Sequence, residues 1–475
     1  MTSSEHSFAP VRRMMENDGL PDLAIRTFRH YFDELASGTT GLLSETDIQP
    51  VTKVADLAQL VDSAEETSGV LGQCVMIKLN GGLGTSMGLD QAKSLLPARE
   101  SFTFLDLIAR QILYLRQQLD RPVPLLLMNS FATHSDSIAR LESLPELAEG
   151  QAPIPLAFLQ HRVPRLDMET LAPIQWPQAR HREWCPPGHG DIYTALAASG
   201  LLEQLLGAGY RYAFVSNADN LGATLEPRIL EWMASERIPF LMEVTERTLA
   251  DRKGGHLAQD HDGRLRLREF AQCPPEEQES FQDIGRYSFF NTNNLWLDLE
   301  ALAEEMKRRD GILGLPIIRN LKHLVPEDHS TPQVIQVETA MGSALEVFDR
   351  AQILRVPRSR FAPVKTTNDL LALWSDRFSL TDNGEIVATV ARPLDIDLDP
   401  VFYASIAGFR DRFPHGAPSL KDADGLRVRG DIRFGADVVI HGRVNLENSG
   451  PAPRMIEDGS VLHDASEGLP PATYS

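Results

Sequence analysis

Between residue 71 and about residue 375 the chain alternates between short apolar runs and helix-like stretches. "QCVMIKL", "VPLLLMNS", "IPLAFLQ", "YRYAFVSN" and "IPFLMEV" have the length and apolar density of strands. Between them, "TFLDLIARQILYLRQQL", "SDSIARLESL", "IYTALAASGLLEQLLGAG" and "EPRILEWMASE" read as helices. A strand that is followed by a helix before the next strand returns parallel to itself. The alternation therefore predicts an α/β fold with a mostly parallel sheet covered by helices. Ligands of such sheets sit at the carboxyl ends of the strands, and most of the motifs discussed below follow one of those ends.

The flanks read differently. In "LPDLAIRTFRHYFDELASG", Ile25, Phe28, Phe32 and Leu35 recur at helical spacing until Gly38, so residues 1–70 are expected to be a helical extension. From about residue 380, "LRVRGDIRFGADVVIHGRVNLENSG" and "IEDGSVL" have short β-runs punctuated by glycine, with no helical pattern. That predicts a small β-solenoid or sandwich with a structural or assembly role. The tail "ASEGLPPATYS" is expected to be loose. The domain reading is thus 1–70, 71–378 and 379–475.

Composition narrows the partners. A formal net charge of −20 argues against nucleic acid and anionic membrane as main partners, since both are polyanions. A bound polyanion must be held by a few placed cations and backbone amides. The three cysteines, Cys74, Cys185 and Cys273, are far apart and imply neither a disulfide framework nor a zinc ribbon. That suits a reducing cytoplasm. The first twenty residues lack a signal-peptide core, and no apolar run reaches the ~18 residues of a membrane span.

The stretch "KLNGGLGTSMG", Lys78 to Gly88, follows the first strand. It satisfies neither the dinucleotide fingerprint nor the P-loop, because Met87 stands at the last glycine of the first and the spacing fails the second. Glycines let backbone N–H groups approach a phosphate or a base, but a tight packed turn would account for them equally. Lys93, five residues past Gly88, tips the balance, since it can place a point charge on the same phosphates.

"KLNGGLGTSMG", with its following lysine and serine, resembles the eukaryotic-type UTP–glucose-1-phosphate uridylyltransferase family. The resemblance continues in order through "NSFATHSDS", "FLQHRVPRL", "WCPPGHGDIYTAL", "FVSNADNLGAT", "MEVTERTLADRKGG", "FFNTNNLWLDL" and "SRFAPVKTTNDLL". Motifs in the correct order over residues 70 to 375 are far more specific than any one of them. After Gly88 the chain reads "LDQAKS" where the family usually has Gly-Pro before the lysine.

The resemblance implies a Rossmann-like nucleotidyltransferase core with a mixed, mostly parallel sheet and a C-terminal β-helix domain. It implies transfer of UMP from UTP to glucose 1-phosphate, with Mg²⁺ as cofactor. Leu79, Asn80, Gly81, Gly82, Gln160 and Gly188 are then expected at the nucleotide. Gly81, Gly82, His189, Asn217, Ala218 and Asp219 are expected at the sugar phosphate. Glu243 and Asn293 are expected at glucose, and Asp219 at the metal. Lys93 and Lys365 become the catalytic lysines. The helix beginning near Asp191 is expected to point amide donors at an anion. The expected state is a monomer or small homo-oligomer. The rival readings are a uridylyltransferase for another sugar 1-phosphate and a silent nucleotide-sugar sensor. The sensor would be expected to lack Lys93, Asp219 or Lys365, and all three are present.

Overall fold

The computed structural model describes residues 3–61, 67–99, 101–151 and 153–464. The tail expected to be loose, 465–475, lies outside them.

Seven strands form the body of the central sheet. They are β1 (Cys74–Asn80), β2 (Leu125–Asn129), β3 (Ala157–Leu159), β4 (Tyr212–Asn217), β5 (Phe240–Glu246), β6 (Phe289–Asp298) and β7 (Gln352–Arg355). Their spatial order is β7-β5-β6-β4-β1-β2-β3, with Ala55–Asp56 paired at the β7 edge. β4, β1, β2 and β3 are parallel, and so are β5 and β7. β6 alone among the seven is reversed, antiparallel to both β4 and β5. The sheet is thus mixed and mostly parallel, as the alternation predicts.

Side chains alternate along each strand, so each face of the sheet receives its own core. Cys74 and Met76 of β1 join Leu125, Leu127, Phe214, Leu241 and Trp296 on one face. Val75 and Ile77 join Leu126, Met128, Val215, Met242 and Leu295 on the other. Helix Phe104–Leu119 covers the first face with Phe104, Leu105, Leu107, Ile108 and Ile112. It starts at a capping box in which Thr103 and Asp106 satisfy each other's backbone N–H groups. The single helix expected over "IYTALAASGLLEQLLGAG" is two helices, Asp191–Ala198 and Leu201–Gly207. Gly200 separates them at φ +73°, a left-handed conformation that glycine adopts without steric cost.

The N-terminal helices Ser3–Asn17 and Asp22–Ala36 form a hairpin on the molecule's flank. Ile25, Phe28, Phe32 and Leu35 are all buried, as their spacing predicts. They pack on Val163, Cys185, Ile317 and Val337, so this segment is layered onto the antiparallel ribbon Ile317–Val325/Asp328–Thr339.

Toward the C-terminus the strands are short and pair in parallel. Asp395–Leu398, Ala423–Arg429 and Gly442–Glu447 form one small sheet. Ile432–Phe434 lies beside Arg454–Ile456, and Val439–Ile440 beside Val461–Leu462. Leu398, Val428 and Leu446 stack in register on the inside. This inside is continuous with the first face of the central sheet. The region is not free of helix, because Pro400–Tyr403 and Ile406–Arg412 intervene and bury Tyr403 and Phe409. All three cysteines are buried and unpaired. No helix among the described residues is long and apolar enough to cross a membrane.

Candidate active site

Four neighbouring strands, β4, β1, β2 and β3, end on the same edge of the sheet. A cleft of about 490 Å³ opens there, walled by Leu79, Met128, Gln160 and Asn217, which sit at or just beyond the four strand ends. A cleft at the carboxyl ends of parallel strands is where an α/β sheet holds its ligand.

Of the residues singled out in the sequence, Leu79, Asn80, Gly81, Gly82 and Lys93 line this cleft from one side. Gln160, Gly188 and His189 line it from another, and Asn217, Ala218 and Asp219 form its base. Gly82 faces open space, whereas a Cβ on Gly81 would lie 2.9 Å from Gln160 Oε1. Gln160 Nε2 donates to the Gly188 carbonyl at 2.8 Å, which ties the two expected base contacts together. Gly188 has φ +81°, and a Cβ there would meet the Thr339 carbonyl at 2.3 Å. Only glycine fits that turn.

His189 is held in one tautomer. Its Nδ1 accepts the Met341 N–H at 2.9 Å, leaving Nε2–H as a donor. Burial pushes its pKa down to about 4, so the ring stays neutral near pH 7. The helix start behind it does not offer the amides expected of it. Gly190, Asp191 and Ile192 spend their N–H groups on the carbonyls of Thr339, Gly188 and His189. The Asp191 carboxylate accepts the His161 N–H at 2.7 Å and pairs with His161 Nδ1 at 2.9 Å. For His161, burial opposes the charge, but the Asp191 charge and hydrogen bond outweigh it and raise the pKa.

Lys93 and Asp219, 126 residues apart in sequence, meet at 2.5 Å between Nζ and Oδ2. Asp219 Oδ1 is buried and has no hydrogen-bond partner. An orphaned carboxylate oxygen beside a phosphate-sized cleft fits a Mg²⁺ ion, which takes one or two carboxylates and fills its remaining sites with substrate phosphate and water. No cluster of three or more His, Cys, Asp or Glu able to hold a metal occurs among the described residues.

Three expected residues do not line the cleft. Glu243 is 0% exposed, and both its oxygens are taken. Arg360 grips it at 2.8 and 2.6 Å, and Asn294 Nδ2 and Trp296 Nε1 donate to it at 2.9 Å each. It has no acceptor left for a sugar hydroxyl, so its role is to hold Arg360. Asn293 sits at φ +59° in β6, where the register against β5 slips between Met242 and Val244. It exchanges hydrogen bonds with Asn291 and is the one part-exposed asparagine of "NTNNLW". Lys365 is exposed, with Nζ 5.9 Å from the Phe361 ring.

The sequence reading missed two groups. Phe131, in "NSFATHSDS", stands half-exposed in the cleft wall, with the Arg162 guanidinium 5.2 Å over its ring. Glu269 lies against Gly255, where a Cβ would be 2.5 Å from its carboxylate. Burial pushes Glu269 up to about 7, against the pull of the Lys365 charge. Gly255 also accepts from the Asn291 N–H, so Glu269 shares its surroundings with the β6 asparagines and Lys365. "LREF" offers no signal for it; the glycine pair Gly254-Gly255 is the nearest one.

A glycine-lined cleft at the carboxyl ends of parallel strands, with one lysine–carboxylate pair, marks the chain as an α/β protein of the ligand-binding class. The family model for UTP–glucose-1-phosphate uridylyltransferase matches residues 25–441. The chain is 41% identical over 411 residues to the UTP–glucose-1-phosphate uridylyltransferase of Solanum tuberosum, covering 86% of this chain and 83% of that one. It is 38% identical over 460 residues to that of Saccharomyces cerevisiae, covering 96% and 89%. A single-site variant of UDP-glucose pyrophosphorylase from Leishmania major, solved in complex with UDP-glucose, superposes with a TM-score of 0.90 at 42% identity, covering 98% of this chain and 99% of that one. The chain belongs to the UTP–glucose-1-phosphate uridylyltransferase family.

Proposed function

We propose that this chain transfers UMP from UTP to glucose 1-phosphate, giving UDP-glucose and pyrophosphate. The observation that carries the reading is the glycine-lined cleft with Lys93 against Asp219 at its base, in a chain of this family. A phosphate oxygen of glucose 1-phosphate attacks the α-phosphorus of UTP. The new O–P bond forms as the bond from the α-phosphorus to the β-bridging oxygen breaks, and pyrophosphate leaves with that electron pair. The nucleophile is already ionised, so no strong base is needed. The obstacle is the meeting of two anions, and the remedy is positioning with cationic screening.

Gln160 and Gly188 hold the uracil edge, and Leu79 to Gly82 present backbone to the nucleotide. Lys93 bridges triphosphate oxygens. His189, neutral, donates from Nε2 to the sugar phosphate without adding a charge to be desolvated. Asp219 would hold Mg²⁺ through its free oxygen, and the ion would offset phosphate charge there. Lys365 reaches the α-phosphate from the opposite side by extending its side chain. Asn293 and Glu269 take the glucose hydroxyls, with Glu269 in the role expected of Glu243. The Glu269 carboxylate, which lies against Gly255, supports this, since no ion pair holds it among the described residues.

The chain reads as three units, 1–70, 71–378 and 379–475, the last a β-helix. The parallel stacking of its strands supports that name. A cytoplasmic monomer or small homo-oligomer completes the proposal, and sedimentation equilibrium tests the assembly state.

The deciding experiment is pyrophosphate release with Mg²⁺, crossing UTP, dTTP, ATP and GTP against the 1-phosphates of glucose, galactose and N-acetylglucosamine. Release with UTP and glucose 1-phosphate alone is expected. A preference for another sugar would overturn the glucose assignment. Silence across the panel, with UTP still bound, would leave a sensor.

A further inference from the structure

Two loops that carry the proposed chemistry come from distant parts of the chain. One, from Asn217 to Ala223, leaves β4 and bears Asp219. The other, from Arg360 to Lys365, follows β7 and ends on the second lysine. One side chain and the neighbouring carbonyl fasten them together. Asn220 is 1% exposed. Its Oδ1 accepts the Ala362 N–H at 3.1 Å. Its Nδ2 donates to the Arg360 carbonyl at 3.0 Å and to Asn294 Oδ1 at 3.3 Å. One residue back, the Asp219 carbonyl accepts the Val364 N–H at 3.2 Å. Adjacent residues of the first loop therefore grip residues 360, 362 and 364 of the second, and Lys365 comes next.

The surroundings fix both loops in turn. Lys78, wholly buried, donates to Ser216 Oγ at 2.7 Å and to the Ala223 carbonyl at 2.8 Å, pinning both flanks of the first loop. Arg360 is held by Glu243 and also donates to the Thr224 carbonyl at 2.9 Å. Asn220 is the joint between these two anchored pieces.

We infer that Asn220 is a positioning residue that sets the Asp219 carboxylate and the Lys365 arm at a fixed spacing across the reacting phosphates. The inference rests on the proposed roles of Lys365 and Asp219. Asn220 does not line the cleft; it acts through the loop that bears Lys365. The amide suits the position, because it must accept from one N–H and donate to a carbonyl at once. An aspartate keeps the shape and the acceptor but places a second acceptor against the Arg360 carbonyl. A misplacement of about 1 Å at a reacting group can cost about a hundredfold in rate, so a joint of this kind is read in turnover rather than in binding.

The test is a double-mutant cycle of Asn220→Ala and Lys365→Ala, with Asn220→Asp as a second variant, measured as kcat, KM for UTP and thermal midpoint. In the parent background, Asn220→Ala is expected to lower kcat by about ten- to a hundredfold and to shift KM for UTP by less than about threefold. In the Lys365→Ala background, the same change is expected to cost less than about threefold more, because the arm it aims is already disarmed. Asn220→Asp should follow Asn220→Ala. Equal losses in both backgrounds, or a lowered midpoint with unchanged kcat per folded molecule, would make Asn220 a fold-stabilising residue and overturn the inference. Failure of both Asn220 variants to fold would do the same. Lys365→Ala at the parent rate would remove the catalytic assignment itself. A slow Lys365→Ala beside Asn220 variants at the parent rate would remove the inference alone.

Discussion

The residues that line the cleft and the proposed catalytic residues outside its lining are built to different degrees of completion. In the cleft, where the nucleotide is proposed to bind, Gln160 is bonded to Gly188, His189 is locked by Met341, and Lys93 rests on Asp219. Outside the cleft lining, Lys365 projects as an exposed side chain, and Glu269 has no ion-pair partner among the described residues. The first set is organised by hydrogen bonds within the fold itself. In the second, the backbone of the Lys365 loop is held in place while the Lys365 side chain is exposed. An enzyme that joins two anions gains from this, because a fully assembled ring of cations would hold the reactants as tightly as the transition state.

The largest effect that could break this contrast is that of Lys93→Ala. Loss of a pre-placed cation from the phosphates is expected to lower kcat about a thousandfold, read in steady-state pyrophosphate release. A loss below tenfold would show that the built side contributes little to the reaction. Lys365→Ala is expected next, at about a hundredfold in kcat, with KM for UTP nearly unchanged because the nucleotide side is intact. A raised KM for UTP with unaltered kcat would place Lys365 among the nucleotide contacts instead.

The two glutamates sharpen the comparison at a smaller scale. Glu269→Gln is expected to raise KM for glucose 1-phosphate about tenfold and leave stability near the parent's. Glu243→Gln should do the converse. It leaves Arg360 buried without its counter-charge and lowers unfolding stability by about 3 kcal/mol in denaturant titration. Exchange of these two phenotypes would reinstate Glu243 at the sugar.

The smallest expected effect is a pH dependence on the nucleotide side. The folded pKa of His161 is raised, so its pair with Asp191 contributes stability that is fully present below the unfolded value of about 6.5. That contribution is lost as pH rises through the folded value. In His161→Gln, the fall in melting temperature from pH 6 to pH 8 should therefore be smaller than in the parent chain. An identical fall in both would mean that the pair carries no net stability.

What the sequence made legible follows from how local each signal is. Strand and helix periodicities are written within a dozen residues, and β1, β2, β4 and β5 lie where they predict. The glycine loop and "NADN" stand at strand ends, so their convergence follows once the strands are parallel. Glu243 was misread because its fate depends on a partner far away. A register slip between β5 and β6 brings Asn294 and Trp296 to its carboxylate, and Arg360 arrives from beyond β7. None of these is visible in "MEVTER". The amides at the start of helix Asp191–Ala198 were misread for the same reason, since Thr339, one of the groups that occupies them, lies 148 residues on. Gly200 could have been read as a break, because glycine in a helical run is a local signal.

β6 enters the sheet backwards. Every neighbour ends at the cleft edge, whereas β6 begins there, so Asn291 and Asn293 belong to chain arriving at the sheet rather than leaving it. In the proposed reading the nucleotide is met by exits from strands and the sugar by an entrance. The segment that feeds this entrance is distant in sequence from the tips of β1 and β2, and β6 is joined to the loop after β4 by the Asn220–Asn294 hydrogen bond. On the proposed roles, the two substrates fall to different stretches of chain, the sugar to the approach to β6 and the nucleotide chiefly to the exits of the parallel strands.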